Sequence, residues 1–362
     1  MEAGKVSVVI PTYNRAYCLA VAIGSVQAQT YSAWEALIID DGSTDQTESL
    51  VRCLSRSDPR VKYYRQEKNH GVSAARNAAI RMADGEWIAF LDSDDSWKPW
   101  KLSAQVACLK SLPDVGMIWT DMDGYDQNGV LVSPQHLRRM YTAYKRVDEK
   151  HLFAGECPLS KIAPELTATN VALAGAVVRW GELYSAMIFG NLVHTSTVLI
   201  ARQRLRQVGL FNEQYRSGED YDFHLRTCLH GPVAFLDVAS TRYRAGEEGD
   251  QLTAQEYQLQ IAINALQTRE KAIACNRQHI LLSDDQLAAI MARANTSVAE
   301  TLFAQGDFSK ARAYFRKGRL LQSRKLSPIV KASLSHLPPR IVRSVVGLLR
   351  KSKARAREWS GS

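Results

Sequence analysis

The chain has 362 residues, 46% apolar and 23% charged, with 21 Gly and 11 Pro. That composition excludes disordered, collagenous and small disulfide-stapled classes and leaves room for one large domain plus an appendage. The net charge of +9 sits at one end: from Lys310 onward 15 Lys and Arg face the single acid Glu358, while in the remainder 36 acids outnumber 31 bases. No apolar run reaches the roughly 18–20 residues of a spanning helix, and a buried-strand pattern begins within six residues with no signal peptide before it, which predicts a cytoplasmic chain. The six cysteines are scattered without C-x-x-C or Cys/His spacing, so free thiols in a reducing compartment are expected rather than a zinc site or a disulfide framework.

The first apolar run, Val6–Ile10, is short, β-branched and closed by Pro11, the pattern of a strand buried on both faces. A helical stretch follows at Leu19–Gln27, then a strand at Ala36–Ile39 and a helix through Leu50 and Val51. A strand at Val61–Tyr64, an Ala-rich helix at Ser73–Met82 and a strand at Trp87–Leu91 continue the series. This alternation predicts βαβ units in a doubly wound, mostly parallel sheet. Beyond Lys101 the pattern loosens, apart from a strand at Val115–Trp119. Order returns at Thr195–Ile200, the segment SGEDYDFHLR and the apolar run Val233–Leu236. Strand signals vanish from Gln251, which places a domain boundary near Glu248: residues 1–248 as the α/β domain and 249–362 as a helical region. Within the latter, LFAQGDFSKARAYFRKGRLLQ resembles one tetratricopeptide hairpin turning at Gly306 and Asp307, with Ala311, Phe315 and Leu320 on one side. A single hairpin cannot bury its own face, so a packed helical pair is expected rather than a repeat array.

Ligands of open α/β sheets sit beyond the carboxyl ends of the strands, and here three strands end in polar punctuation. Asp92, Ser93, Asp94 and Asp95 follow the fourth strand. Crowded carboxylates repel one another unless a hard cation or solvent relieves them; as N-terminal acids they also suit the helix that follows. Asp40 to Asp45 (DDGSTD) follow the second strand, where Ser43 and Gln46 fit a capping box and Asp41 fits a hydrogen-bonding partner for a base or ribose. Glu219 and Asp220 open a short helix after Gly218, as dipole partners or as a general base on a rigid helix end. His194 precedes a strand and is either a structural hydrogen-bonding residue or part of a site. Arg242 and Arg244 lie in a Gly-containing loop able to close over phosphates.

In order, VSVVIPTYNR, IIDDGSTD, HGVSAARNAAI, GEWIAFLDSDD with Trp97, HTSTVLIAR and GLFNEQYRSGEDYDFHLR resemble a family 2 glycosyltransferase with the GT-A fold, over residues 5 to about 245. The resemblance implies that Pro11, Thr12, Tyr13 and Asn14 line a nucleotide pocket, that Asp41 contacts the base and that Arg76 lies near the nucleotide. It matches Asp92 and Asp94 to a D-x-D motif which, with Asp95, holds Mn²⁺ or Mg²⁺ on the diphosphate, and Ser93 lies within it. Asp220 matches the base that deprotonates the acceptor hydroxyl, with Glu219 and His194 on the acceptor side. Related sequences often carry a histidine shortly after the late Tyr-Arg pair, where this chain reads Arg244-Ala245-Gly246-Glu247, so the phosphate contact of Arg244 departs from the pattern.

The implied reaction is a single inverting displacement from a nucleotide-sugar donor, UDP-linked by resemblance, to a glycan or lipid-linked acceptor in bacterial surface-polysaccharide assembly. Two rivals compete with it. A nucleotidyltransferase needs a Gly-rich phosphate loop near the first strand, where PTYNR stands instead. An inactive scaffold would have lost its acids, yet Asp41, Asp94 and Asp220 are in place. Basic residues flank Ile341, Val345 and Leu348 in the tail segment 340–357, which suits an interfacial helix on the anionic inner leaflet of the membrane or a solvated basic helix. Without aromatic patterning of the RNA-binding kind, nucleic acid is not an expected partner.

Overall fold

Alternating buried runs fold into the expected βαβ series: β1 (Glu2–Thr12), α1 (Ala16–Gln27), β2 (Trp34–Asp40), α2 (Thr47–Ser57), β3 (Val61–Arg65), α3 (Val72–Met82) and β4 (Gly85–Phe90). A computed structural model describes residues 2–126, 128–245, 255–318, 326–336 and 341–342. β1 is parallel to β2 and to β4, and β2 to β3. Val6, Val8, Ile10, Ala36, Ile38 and Ala89 are therefore buried in one core with Leu19, Ala22, Ile23 and Val26 of α1. Each aliphatic side chain removed from water there stabilises the fold by roughly 1.5–3 kcal/mol. At Gly85 a Cβ would lie 2.6 Å from the Lys5 carbonyl oxygen, so only glycine lets β4 start this close to β1.

The second half of the sheet is mixed. β5 (Ser96–Trp97), α4 (Lys101–Ser111), β6 (Met117–Tyr125), β7 (Leu131–Ser133), β8 (Gly155–Pro158), β9 (Val177–Gly181), β10 (Leu199–Ala201) and β11 (Val233–Arg244) extend it to the spatial order β3-β2-β1-β4-β10-β6-β11-β9-β8. β10 runs antiparallel to β4 and β6, while β6 and β11 run parallel to each other. The carboxyl ends of β1, β2, β4, β6 and β11 thus share one rim with the segment that enters β10. Two expectations change in extent. The TSTVLI strand is a short turn of 3-10 helix at Thr195–Thr197 followed by a three-residue strand. The strand expected at Val233–Leu236 continues through the polar STRYR to Arg244, because β6 and β5 supply its hydrogen-bonding partners.

Contacts divide the chain into two compact units, Met1–Gly249 with Gln278–Ile280, and Asp250–Arg277 with Leu281–Ser362. The second unit is helical throughout its described residues. Helix Asp284–Gln305 begins at a capping box formed by Ser283 and Gln286 and stops at Gly306, which has φ +86°. Asp307 then caps helix Phe308–Lys317, and Phe308, Ala311 and Phe315 are buried in one cluster with Val298, Leu302 and Phe303. Leu320 lies outside the described residues, as does the tail segment apart from residues 341–342. Among the described residues no helix is long and apolar enough to cross a membrane, and all six cysteines are free.

Candidate active site

The loops after β1 and β2 fold as one piece. The Asn14 amide donates to Ser43 Oγ at 2.8 Å, and Asn14 Oδ1 accepts from the Thr44 amide at 2.8 Å. Asn14 holds φ +51°, a left-handed conformation that Asn tolerates better than most residues. Asp40 closes the turn by accepting from the Ser43 amide at 2.8 Å and from the Tyr63 hydroxyl at 2.6 Å. The expected Ser43–Gln46 capping box does not form: α2 starts after Gln46 without a side-chain cap, since the Ser43 hydroxyl is engaged by Asn14. Asp41 points the other way. Its two carboxylate oxygens accept from the His70 and Gly71 amides at 2.8 and 2.7 Å, pinning the entry to α3. Burial nevertheless pushes its pKa up despite those donors. Beside it, Tyr13 is exposed and the buried Thr12 hydroxyl has no hydrogen-bond partner.

The acids after β4 do not cap the next helix, which begins only at Lys101 and lacks a side-chain cap; that reading is corrected. Instead they line the rim. The Asp92 amide donates to Ser196 Oγ at 3.1 Å, the Asp95 amide to the Asp92 carbonyl at 3.1 Å, and the Ser93 carbonyl accepts from Cys18 Sγ at 3.4 Å. Asp94 faces Arg15 at 3.9 Å. Burial, then the charges of Asp95 and Asp92, raise its pKa to about 6 in spite of Arg15.

Antiparallel β10 delivers His194 to this rim. Its Nε2 lies 3.4 Å from Asp95 Oδ2, and its Nδ1 lies 3.3 Å from the Tyr141 hydroxyl. Burial opposes protonation of this imidazole, but the hydrogen bond to Asp95 and the charges of Asp95, Asp92 and Asp220 outweigh it and raise its pKa. One ligand atom each from Asp92, Asp95 and His194 falls within 4.8 Å of the others. Two carboxylates and an imidazole fit a divalent cation, and the nitrogen donor suits Mn²⁺ better than the all-oxygen preference of Mg²⁺. Of the three acids expected to hold the cation, Asp92 and Asp95 are in this grouping and Asp94 is not, while His194, expected on the acceptor side, stands with them.

Gly218, at φ +71°, turns the chain into helix Glu219–Leu229. Glu219 and Asp220 diverge there. Glu219 accepts from Arg76 at 2.5 Å, and the other terminal nitrogen of Arg76 donates to Asp92 at 2.7 Å. Arg76 is 3% exposed, so the residue expected beside the nucleotide is a buried tie between the two acidic motifs. Asp220 accepts from Asn191 Nδ2 at 2.9 Å and from the Tyr221 amide at 2.8 Å. Its burial, then the neighbouring charge of Glu219, raise its pKa to about 6. Over the rim, the Arg244 amide donates to Asp95 at 3.2 Å while its guanidinium donates to the Tyr17 hydroxyl at 2.6 Å. Arg242 lies over the Tyr125 ring at 5.3 Å instead.

Sequence reasoning missed Asn191, Tyr141 and Tyr243. Asn191 opens the NLVHTSTVL phrase with nothing to mark it, and Tyr141 lies in the stretch without periodicity. The Tyr243 ring meets His194 edge-on at 5.2 Å and stacks on His136 at 5.3 Å, contacts that alternation along β11 does not reveal.

The mixed, mostly parallel sheet, with carboxylates and a histidine gathered at one rim, has a GT-A-like fold. Residues 7–159 match the family model described as glycosyl transferase family 2. Among curated relatives the chain is 36% identical over 140 residues to the Escherichia coli UDP-Glc:alpha-D-GlcNAc-diphosphoundecaprenol beta-1,3-glucosyltransferase WfgD, covering 38% of this chain and 54% of that protein. It is 32% identical over 240 residues to an uncharacterized glycosyltransferase of Rickettsia conorii, covering 66% of this chain and 33% of that one. The chain thus spans a third to about half the length of these relatives. Two solved structures share the fold. S. aureus TarS 1-349 in complex with UDP-GlcNAc gives a TM-score of 0.51 at 19% identity, covering 87% of this chain and 89% of that one. The Pyrobaculum calidifontis mannosyltransferase PcManGT, in complex with GDP-Man and Mn²⁺, gives 0.50 at 18% identity, covering 96% and 88%.

Proposed function

We propose that the chain is an inverting glycosyltransferase. It moves a sugar from a nucleotide-diphosphate donor, UDP-linked first, to a hydroxyl of a glycan or lipid-linked acceptor in bacterial envelope polysaccharide assembly. The observation that carries this reading is one rim bearing both a three-ligand cluster (Asp92, Asp95, His194) and a raised, hydrogen-bonded carboxylate, Asp220. The diphosphoundecaprenol-linked acceptor in WfgD's name supports it.

Asp220, fixed by Asn191, takes the proton of the acceptor hydroxyl as that oxygen attacks the anomeric carbon. The bond to the diphosphate breaks with inversion, through an oxocarbenium-like transition state. Asp92, Asp95 and His194 would hold a divalent cation, which would supply charge stabilisation to the departing diphosphate. Asp41 and the Pro11–Asn14 loop form the nucleotide side, where the exposed Tyr13 offers a ring and the Thr12 hydroxyl an unspent hydrogen bond. Peripheral contact of the basic tail with an anionic inner leaflet belongs to the same proposal.

Calorimetry with UDP, with and without Mn²⁺, tests it on the intact protein and on Asp95→Ala, His194→Ala and Asp94→Ala. Metal-dependent binding at least about tenfold weaker in the first two, a loss of about 1.4 kcal/mol, is expected. Binding lost only in Asp94→Ala would place the metal on Asp94 and take Asp95 and His194 out of the ligand set. Silence toward UDP, GDP and dTDP under both conditions would sink the transferase reading.

A further inference from the structure

Tyr141 turns toward His194, but Arg138, three residues earlier, lines a separate cavity of about 590 Å³ between β8, β9, β11 and the short helices before β8. Arg138, Glu149, Phe153, Glu156, Arg179 and Asp237 form its wall. Both guanidiniums are fixed. Arg138 donates to the buried Asp121 at 2.7 Å, to Glu149 at 3.1 Å and to Asp237 at 3.3 Å. Arg179 donates to Asp237 at 2.6 Å and to Glu156 at 3.1 Å. Phe153 stacks on Phe235, centroids 6.3 Å apart and planes within 12°, with Trp119 5.4 Å from Phe235. The aromatic wall is therefore rigid.

The charges decide what such a cavity holds. The wall carries three carboxylates, Glu149, Glu156 and Asp237, against two guanidiniums, a net negative charge that disfavours phosphate and so a second donor site. Ionised carboxylates retain acceptor positions beyond one ion pair each, and the Glu156 side chain is 65% exposed. Fixed acceptors, fixed donors and one aromatic face together suit a ligand rich in hydroxyls with one apolar face, a sugar ring. The volume lies within the range of small-molecule pockets.

We propose that this cavity binds a neutral or amino-sugar residue of the acceptor glycan, away from the hydroxyl that reacts. Arg244, whose amide meets Asp95, lies seven positions after Asp237 along β11; at about 3.3 Å per residue that is on the order of 20 Å. The acceptor reaches the cavity with a saccharide extending beyond its reacting unit. This inference rests on the transferase reading for the word acceptor, but the cavity's affinity for sugar is measurable alone.

Saturation-transfer difference NMR on the full chain, with UDP and Mn²⁺ present, provides the test. The probes are the methyl glycosides of glucose, galactose, mannose and N-acetylglucosamine, together with glucosamine. At least one probe should bind, about tenfold more weakly in Phe153→Ala through loss of the aromatic face, and measurably more weakly in Glu156→Gln. The exposed Glu156 keeps the test decisive should Phe153→Ala fail to fold. Absence of any signal, a signal both variants leave unchanged, or displacement by inorganic phosphate would overturn the proposal. Sugar binding without UDP binding would leave the cavity standing and sink the transferase reading; UDP binding without sugar binding would do the reverse.

Discussion

Arg76 carries a heavier structural charge than its place in HGVSAARNAAI suggests. Its guanidinium is buried between Asp92 and Glu219, and the Arg76 charge outweighs burial to hold the Asp92 carboxyl below its ordinary pKa. Glu219 is thereby committed to structure, which leaves Asp220 as the acid at the helix end free to exchange a proton. Asp220→Asn should lower kcat by about 10²–10⁴-fold, the usual worth of a general base, with UDP affinity unchanged by calorimetry. Because burial and Glu219 raise the Asp220 pKa to about 6, the base is protonated and inactive below that pH. The rate should climb through about pH 6 and level off above it. Asn191→Ala removes a donor that favours the ionised carboxylate, so the limb should move to higher pH; an unmoved limb would remove Asp220 from the base role.

At the scale of elements, the rim depends on how α3 is entered. Asp41 holds the His70 and Gly71 amides, and Gly71 at φ +94° turns the chain into the helix. No atom lies within 4 Å of a Cβ built there, so Gly71→Ala tests backbone strain alone. A loss of about 1–2 kcal/mol is expected, read as a fall of a few degrees in Tm, together with weaker UDP binding as Asp41 loses its frame. An unchanged melting curve would show that the loop adopts another path. The parallel strands were legible because strands buried on both faces need unbroken β-branched runs. The edge strand β8 and its neighbour β9 were not, being short and mixed in polarity. The polar half of β11 is a strand only because β5 and β6 pair with it. The capping box at Ser43 failed for a related reason: a hydroxyl that fits a local motif was taken by Asn14 from another loop.

On the scale of the whole molecule, charge divides along the chain: an acid-rich body whose carboxylates gather at one rim, and a basic segment after Lys310. Each Lys or Arg held near an anionic leaflet contributes about 1 kcal/mol, screened by salt. The full chain should therefore sediment with phosphatidylglycerol-containing vesicles at low salt, and a chain ending at Pro339 should remain in the supernatant. Equal sedimentation of the two would remove the tail from membrane binding. The helical unit has its own logic, since Ser283, Gly306 and Asp307 are local start and stop signals that fix the hairpin, whereas its burial depends on Phe308 and Phe315 finding partners.

Local chemistry in the sequence settled the βαβ order, the polar strand ends, the helix at Gly218 and the hairpin at Gly306. Each depends on residues adjacent in the chain, through periodicity, caps and turns. Only tertiary structure decided which groups meet. His194 joins Asp92 and Asp95 because β10 runs antiparallel into the sheet; Arg76 ties Asp92 to Glu219, 143 residues further along the chain than Arg76 itself; Asn191 reaches Asp220. Side-chain pairing across strands and loops follows from sheet order and direction, and the pattern along one strand does not encode them.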